Sequence, residues 1–571
     1  MAKLSEDQIL KLVIDRFEYS KVCKATKDEE VEKYLKMYDS VVEETFPFKT
    51  KMFIPYSYMV IESIIPRVMA AIFNSRPILR ARPRPENPDE INKSVDKITH
   101  LLDYAFDNDN FFDKIEMLLR TALIVGTGVI KYKWLFEIDE ETYKAEELMA
   151  LEEFEIAKAS IKEDRPATEL VSYWDYFPDP DLNQKYKIHR IITTYEDLER
   201  RNKVFKIYKN LDKIKNAGYS ENIFRDVNYY NSKIGGLVRG SNIYDPHKDY
   251  IELLEYWDKD NLYVIANRSV VIRAEENPFG DIPFVEAYAV PRVDSIWGDS
   301  VLKPLERIQH YLNGLKSMKF DLLSQNLQPM WLATMDSGIE GNLLLWQPNK
   351  IVRVNNQNGL VPLRPQVTGL QDGYLEEQML TTIMQRVSGI TDYLIGIQTK
   401  NVNETATGVS LLTEASQSRV RLFIQRFGNS ALRELGYRFL ELYRKFTDEE
   451  VHFRIFNQSK DDMFGTIGKE ELMGRYELQL VESMFYSAQL RQQQIMGLFN
   501  LLYGKPEVDN FELVKTLLDA FELKNSEDIR LTKEEYEARQ IELVKQAMLK
   551  LQEQQAQQMA QGGAGGEVPS E

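Results

Sequence analysis

Two helix-forming segments flanking a short β-rich insert, in the second half of the chain, constrain the fold more than any other feature. The first segment runs from near Ser300 to about Asn326, with Pro304 tolerated in its first turn, and the second covers about 370–388. Their apolar stripes are formed by Leu305, Ile308, Leu312, Leu315 and Leu322 in the first and by Leu375, Met379, Ile383 and Val387 in the second. Because the insert, 329–365, is β-like and rich in turns, we expect a helical hairpin with a small β-rich domain on its tip.

A polar loop and a long helix follow this hairpin. The loop covers Thr399 to Glu404, and the helix predicted from Thr405 to about 446 contains no proline and has apolar or small residues in steps of three and four. Gly428 and Gly436 interrupt its stripe and predict a bend. Residues 391–447 contain eight basic and five acidic side chains, which makes the segment positive within an acidic chain.

The remaining pattern predicts an α+β fold that is predominantly helical. Helical periodicity occurs at 4–20, 28–42, 57–73, 90–107, 111–124, 140–163, 486–503, 510–522 and 532–560. We interpret 77–90 as a turn-rich linker, 128–137 as a strand, 168–297 as mainly short antiparallel strands, and 200–248 as ambiguous. Two more strands, "EVHFRIFN" and "RYELQLVESMF", return after the long helix, and the Gly-rich end from 561 is typical of disorder.

Composition and charge exclude several classes of protein. With 571 residues and 43% hydrophobic content the chain supports several packed units rather than one core. The net charge of −17 argues against a tight DNA binder, since such proteins usually carry a basic face. The single cysteine, Cys23, excludes an intramolecular disulfide framework, and neither a secretory signal nor a membrane segment is indicated.

The sequence contains no convincing catalytic or ligand-binding pattern. The Gly126–Gly128 "GTG" lacks the context of a dinucleotide fold, and no phosphate-binding P-loop motif occurs. The five histidines have no metal-ligand spacing, and we interpret Asp179, Asp181 and Asn183 as a turn with capping aspartates rather than a calcium loop. The sequence therefore predicts a protein that is not an enzyme and that has no cofactor and no metal site.

Several stretches, taken in order, resemble the portal (head-to-tail connector) proteins of tailed bacteriophages. They are "FFDKIEMLLRTALIVGTGVIKYKW", "VSYWDYFPDP", "NPFGDIPFVEAYAVPRVDSIWGDSVLKPLERIQHYLNGLKSMKFDLLSQNLQPMW" and "VSGITDYLIGIQTKNVNETATGVSLLTEASQSRVRLFIQRF". Their order, with the helix–β insert–helix between them, carries the resemblance. The resemblance covers roughly 50 to 560.

The resemblance implies a division of the chain into the parts of a portal protomer. These are a wing at 1–297 and 406–484, stem helices at 298–327 and 368–390, a clip at 328–367, a tunnel loop at 391–405, a helical crown at 485–560 and a disordered tail at 561–571. The polar loop would then project into a channel, and the long helix would anchor it in the wing.

The resemblance also implies a function and partners. Such proteins form a ring, usually of twelve subunits, at one capsid vertex, through which double-stranded DNA is packaged, retained and ejected. The expected partners are the terminase packaging motor, the major capsid and scaffold proteins, and later neck or tail adaptor proteins. The protein would be found in the virion, and in the host cytoplasm during assembly.

Two groups of residues would carry this function. The tunnel loop would present Thr399, Lys400, Asn401, Val402, Asn403 and Glu404 to DNA, and the clip interface would include Trp331, Trp346, Gln347, Asn349, Lys350 and Arg353. An alternative is a non-enzymatic cytoplasmic scaffold or adaptor that binds protein partners through its helices. A nucleic-acid enzyme is a third hypothesis, which the acidity of the chain disfavours.

Overall fold

A computed structural model describes most of the chain up to residue 481 and a few residues beyond it. The described residues are 4–42, 49–74, 76–83, 88–138, 161–217, 250–335, 355, 357–363, 370–390, 418–447, 450–455, 464–481, 496–502, 545–546, 548–550 and 553. The chain divides into two units, Met1–Ser483 and Met484–Glu571. In the second unit residues 496–502 are helical, within one of the predicted helices.

The N-terminal helix α1, Glu6–Tyr38, begins at a capping box in which Ser5 and Gln8 exchange hydrogen bonds. The prediction of two separate helices at 4–20 and 28–42 is wrong. The buried face of α1 continues between the two predicted helices, but the buried residues there are polar, so they do not contribute to a hydrophobic pattern. Lys24 is one of these, and its Nζ donates to the carbonyl oxygens of Tyr173 (2.6 Å) and Tyr176 (3.1 Å).

Three further helices pack in the first unit: α2 (Tyr56–Phe73), α3 (Pro88–Asn108) and α4 (Phe111–Val125). α2 is long and apolar enough to cross a membrane, but 56% of that span is buried inside the protein, as in the core helix of a globular domain. The predicted linker at 77–90 instead contains strand β1, Leu79–Pro83.

Two antiparallel sheets form the middle of the chain, which confirms the strand prediction for 168–297. Strands β2 (Thr127–Ile138), β3 (Ile161–Val171) and β9 (Phe284–Tyr288) pair in the order β3-β2-β9. Strands β4 (Tyr176–Pro178), β5 (Tyr186–Thr194), β6 (Tyr250–Asp258), β7 (Asn261–Ala266) and β8 (Val270–Glu276) pair in chain order. Helix α5 (Tyr195–Phe205) extends into the region 200–248 that the sequence leaves ambiguous, and helix α6 (Leu211–Ala217) lies within it. Most of the predicted helix at 140–163 lies outside the described residues, and its end belongs to β3.

Buried ion pairs join the two sheets. Lys131 on β2 pairs with Glu255 on β6, and Lys187 on β5 lies 2.7 Å from Glu286 on β9. Burial opposes charge on Glu255, but attraction to Lys131 outweighs it and lowers the pKa of Glu255 to about 2. Burial, with repulsion from Lys131, lowers the pKa of the neighbouring His189 to about 4 and keeps its imidazole neutral at pH 7. The sheets are therefore held together by fixed charges as well as by apolar packing.

The helix–β insert–helix prediction is confirmed. Helix α7 spans Glu306–Leu327 and follows a 3-10 turn at Lys303–Leu305, and helix α8 spans Leu370–Ser388. Between them β10 (Met330–Ala333) and β11 (Leu360–Leu363) pair antiparallel. α7 begins later than the predicted Ser300 because that residue is bound elsewhere: its Oγ donates to the carbonyl oxygen of Leu123 at 3.1 Å.

The long helix α9 covers 418–446 of the described chain and includes a π-helical turn at Gly428–Leu432, followed by Arg433–Phe446. Its predicted start at Thr405 lies outside the described residues. Beyond it are β12 (Val451–Arg454), β13 (Phe464–Ile467), α10 (Lys469–Leu472) and β14 (Tyr476–Leu480). β12 pairs with β13, and β14 pairs with β1, so the two predicted returning strands do not pair with each other.

The two glycines of α9 allow the β1–β14 pair to approach this helix closely. A Cβ atom at Gly428 would lie 2.2 Å from Cδ2 of Leu480, and one at Gly436 would lie 2.4 Å from Cδ1 of Leu79. Of the two, Gly428 coincides with a change of helix geometry, the π turn that begins at this residue. The predicted interruption of α9 is thus a π turn at Gly428, whereas Gly436 allows Leu79 to pack closely against the helix.

Candidate functional site: an exposed helical hairpin

The hairpin formed by α7, β10, β11 and α8 has a specific internal packing. Glu377 on α8 accepts hydrogen bonds from Lys316 (2.8 Å) and Lys319 (2.5 Å) on α7. Lys319 Nζ also lies 3.5 Å from the ring centroid of Tyr374. Burial opposes charge on Glu377, but the two lysines outweigh it and lower its pKa below the ordinary value. These contacts fix how the two helices pair.

Much of the apolar surface of the hairpin nevertheless faces solvent. The predicted stripe on α8 does share one face, but Leu375 and Met379 are 62% and 60% exposed, and Ile383 and Val387 are also exposed. Other exposed apolar side chains of the hairpin are Tyr311, Met318, Phe320, Leu323, Leu327, Met330, Trp331, Leu332, Met335, Val361 and Tyr374. Such concentrated exposure is typical of an interaction surface rather than of a free monomer.

Another face of α7 carries a polar stripe that is buried at Gln309, Asn313 and Ser317 and part-exposed at Asp321. Asp321, Ser317, Asn313 and Gln309 are spaced four residues apart, and they bind the extended segment 49–54, which we call the strap. The contacts are Lys49 N to Asp321 (3.1 Å), Thr50 N to Asp321 (2.9 Å), Met52 N to Ser317 (3.2 Å), Ile54 N to Asn313 (3.1 Å) and Gln309 Nε2 to Ile54 O (2.7 Å).

The distance between successive polar side chains on α7 is close to the distance between alternate amides of the strap. Four residues of an α-helix rise about 6.0 Å, and two residues of an extended chain span about 6.6 Å. Every second amide of the strap therefore meets a polar side chain on each successive turn of α7. Hydrogen bonds from the Thr50 side chain and from the amides of Lys49 and Thr50 lower the pKa of Asp321. The strap fixes the position of α7 along its own axis.

We expect Asn313→Ala to destabilise the first unit by about 1–3 kcal/mol, because the part-buried Ile54 amide and the buried Gln309 side chain lose their acceptor. Amide hydrogen exchange should show selective loss of protection at Ile54 and Met52. Gln325→Ala is the matched control, since Gln325 is the next residue of the same series but is exposed. Equal effects of the two substitutions on strap exchange would contradict the role of the ladder.

A close backbone contact joins the sheets to the hairpin. Gly126 ends α4 with φ +102°, and a Cβ there would lie 2.3 Å from the carbonyl oxygen of Gly298. Gly298 N donates to Thr127 Oγ1 at 2.9 Å, and Val301 N donates to the carbonyl oxygen of Leu123 at 3.2 Å. This junction, rather than a nucleotide-binding loop, is what the "GTG" stretch forms.

The C-terminal end of α8 is joined to α9 by hydrogen bonds. Arg419 Nη1 donates to the carbonyl oxygens of Val387 (2.8 Å) and Arg386 (3.2 Å), in the last turn of α8. A cation at a helix C-terminus satisfies free carbonyls and interacts favourably with the helix dipole. The two helices of the hairpin are therefore each anchored to a different part of the first unit.

Most of the sequence-predicted site residues lie outside the described residues. These are Thr399, Lys400, Asn401, Val402, Asn403 and Glu404 in the loop, and Trp346, Gln347, Asn349, Lys350 and Arg353 in the insert. Trp331 is described: it lies on β10 and is 43% exposed. The strap was missed by sequence reasoning, although the four-residue spacing of polar side chains on α7 was visible.

The segment around Asp179 is among the described residues. No group of three or more His, Cys, Asp or Glu side chains in the described part of the chain is arranged to hold a metal ion. Asp179 acts as a turn residue, accepting from the amides of Asp181 (3.2 Å) and Lys185 (3.1 Å), as predicted.

Comparison with protein families gives a match over much of the chain. A family model described as "Phage SU10 portal protein" matches residues 182–562, which is more than half of the chain and includes the whole hairpin and α9. A search among curated proteins found no match.

Proposed function

The chain belongs to the Phage SU10 portal protein family, and on that premise we propose that it forms a ring-shaped channel at one capsid vertex for genome packaging, retention and ejection. The family is structural rather than catalytic, and it implies an oligomeric ring, capsid- and packaging-related partners and a place in the virion. The cytoplasmic adaptor hypothesis gives no account of the family match.

The observation that carries the proposal is the exposed apolar surface of the hairpin. A soluble monomer rarely leaves an extended stripe such as Leu375–Met379–Ile383–Val387 open to water. In a ring of copies, each hairpin would cover the apolar surface of its neighbour. The unfavourable free energy of leaving that surface in water would then be removed. The ladder to the strap and the contact of Arg419 with α8 support this, because they hold the hairpin in one position for such packing.

On this proposal the hairpin helices are the stem that crosses the capsid wall, and the insert at 328–367 is the clip. The clip would bind the terminase motor during packaging and neck or tail adaptor proteins afterwards, with Trp331 in its exposed strand. The remaining described elements of the first unit would form the wing, next to the major capsid and scaffold proteins. We infer twelve copies, assembled in the host cytoplasm, and a crown built from the residues after 485.

The acidity of the chain supports a channel for moving DNA. A net charge of −17 is opposite to the basic excess by which DNA-gripping proteins bind phosphate and hold DNA in place. The loop Thr399–Glu404 would present a limited set of polar and charged groups to the DNA. Few strong contacts to phosphate would allow the duplex to move through the channel.

The experiment that tests the channel is packaging by particles assembled with the triple variant Lys400→Glu, Asn401→Glu and Asn403→Glu. We expect packaged or retained DNA to fall at least about tenfold, because a ring of added carboxylates repels phosphate at close range. Rings should form normally. The control is Lys259→Glu, which reverses a charge on the exposed turn between β6 and β7. Normal packaging by the triple variant would remove the tunnel-loop assignment.

A further inference from the structure

A cavity of about 590 Å³ opens between the ends of three helices in the first unit. Its wall is formed by Ala70 and Phe73 in the last turn of α2, by Phe106 and Asp107 in the last turn of α3, and by the first turn of α4. The volume lies within the range of about 300–1,000 Å³ that is typical of small-molecule sites. The cavity is therefore large enough to hold a ligand.

Four phenylalanine rings make the cavity mainly aromatic. Phe106 and Phe111 are buried and stack with their ring centroids 4.2 Å apart. Phe73 meets Phe112 edge to face, with ring centroids 5.0 Å apart, and Phe112 is half-exposed, so that solvent reaches its ring. The face of an aromatic ring carries partial negative charge and attracts cations. The lining thus favours a ligand that is apolar, cationic or both.

One carboxylate in the wall is buried and incompletely paired. Asp103 is 5% exposed, and its Oδ1 has no hydrogen-bond partner within the part of the chain that the structure describes. Its Oδ2 lies 4.0 Å from Nη1 of Arg76, which is longer than a hydrogen bond. Burial raises the pKa of Asp103, and Arg76 and the backbone amide of Ile78 offset this only in part. A bound ammonium group would supply the donor that Oδ1 lacks.

The helix ends and the charges around the cavity also favour a cation. α2 and α3 both end there, and neither has a basic residue in its last turn to meet the free carbonyl groups of the helix C-terminus. The N-terminus of α4 has the opposite polarity, but Asp113 lies in its first turn. Among the described residues of the wall, Arg76 is the one cation, 2.6 Å from Asp107, against the three carboxylates of Asp103, Asp107 and Asp113.

The three carboxylates lie at two depths. Asp103 is buried, whereas Asp107 and Asp113 are exposed at the rim. Asp103 and Asp107 are one turn apart on α3, about 6 Å along the helix axis. The two nitrogen atoms of an extended four-carbon diamine are separated by a similar distance. A ligand with a charge at each end of an aliphatic chain therefore matches the cavity.

We propose that this cavity binds a small aliphatic diamine, with one ammonium group donating to Oδ1 of Asp103 and the carbon chain against the phenylalanine rings. The second ammonium group lies beside Asp107 and Asp113. The ligand is a free organic cation rather than a lysine side chain of another protein, because a lysine side chain carries one charge and the cavity presents carboxylates at both depths. The site lies within one protomer and does not depend on assembly into a ring.

Isothermal titration calorimetry of the full-length protein with 1,4-diaminobutane at low salt tests the proposal. We expect one site per protomer, and binding at least about tenfold weaker for 1-aminobutane, which has the same carbon chain and only one charge. Asp103→Asn should also weaken diamine binding at least about tenfold, because it removes the buried charge and keeps the shape of the side chain. The control is Asp96→Asn, the same change at an exposed position of α3, which should leave the affinity unchanged.

A second variant separates binding from folding. Phe112→Ala removes a half-exposed ring, so the protomer should remain folded, but the affinity for the diamine should fall about two- to fivefold with the loss of a ring contact to the cation. The melting temperature of each variant without ligand shows whether it is folded, and Phe112→Ala decides the question if Asp103→Asn does not fold.

Three results would overturn the diamine site and leave the portal function standing. They are the absence of saturable binding of 1,4-diaminobutane, equal affinity of the unmodified protein and a folded Asp103→Asn variant, and tighter binding of N-acetyl-lysine amide than of the diamine. The last result would assign the cavity to a side chain of another protein.

Discussion

Gly298→Ala should unfold the first unit or destabilise it by about 4 kcal/mol or more, among the largest effects expected from one substitution. The added Cβ would lie 2.4 Å from the carbonyl oxygen of Gly126 and 3.2 Å from the carbonyl oxygen of Val290. Both neighbours are backbone atoms, so no side chain is able to turn away and relieve the clash. Gly126→Ala should be at least as severe, because φ +102° adds strain for any residue with a Cβ.

The comparison is made by thermal and chemical unfolding of the purified variants. Gly468→Ala is the control, since a Cβ at Gly468 would meet nothing within 4 Å and the change should stay below about 1 kcal/mol. If Gly298→Ala were as stable as the control, the junction between the sheets and the helical hairpin would not be the rigid contact described above.

The double variant Leu375→Glu, Met379→Glu should abolish ring formation while leaving the protomer folded. In the protomer both side chains are mostly exposed, so charging them removes little packing within one chain. In a ring the same positions would be buried, and each interface would lose about 1.5–3 kcal/mol per apolar side chain and gain an unpaired charge. Because the two substitutions are present at every interface, the loss of interface free energy is repeated at each subunit contact of the ring.

Gln378→Glu provides the matched control, since it adds a carboxylate to an exposed polar position of α8 without removing an apolar contact. Circular dichroism and melting temperature would establish that all variants fold, and light scattering would measure the assembly. A double variant that still forms complete rings would show that the exposed stripe of α8 is not the subunit contact.

The parts of the fold that depend on local pattern could be predicted from the sequence. α8 has the bounds 370–388 that its periodicity predicts, because its length, its stripe and its end at Gly389 are all local features. The antiparallel strands of the middle region follow from alternation and turn residues in the same way.

The parts of the fold that depend on contacts between residues distant in the chain could not be predicted from the sequence. The sequence predicts a linker where β1 lies because the prolines of the segment 77–90 dominate the local signal, and the partner strand β14 lies about 400 residues further on, with Leu79 opposite Leu480. The sequence predicts two helices in place of α1 because the burial of Lys24 depends on carbonyl groups of residues 173 and 176. The polar face of α7 is buried for a similar reason: the strap that binds it comes from the N-terminal part of the chain. In each case a hydrophobic pattern records which residues are apolar, whereas burial also includes polar groups that find a distant partner.

The central claim is that this chain assembles into a closed ring, and native mass with negative-stain images of the same sample tests it most directly. With a protomer of 66.7 kDa, a ring of twelve has a mass of roughly 0.8 MDa and a central hole, as closed cyclic symmetry requires. The measurement is made on the purified protein and repeated after co-expression with capsid and scaffold proteins. We predict the ring in at least one of these samples. A protein that stays a monomer or dimer in both would contradict the portal account.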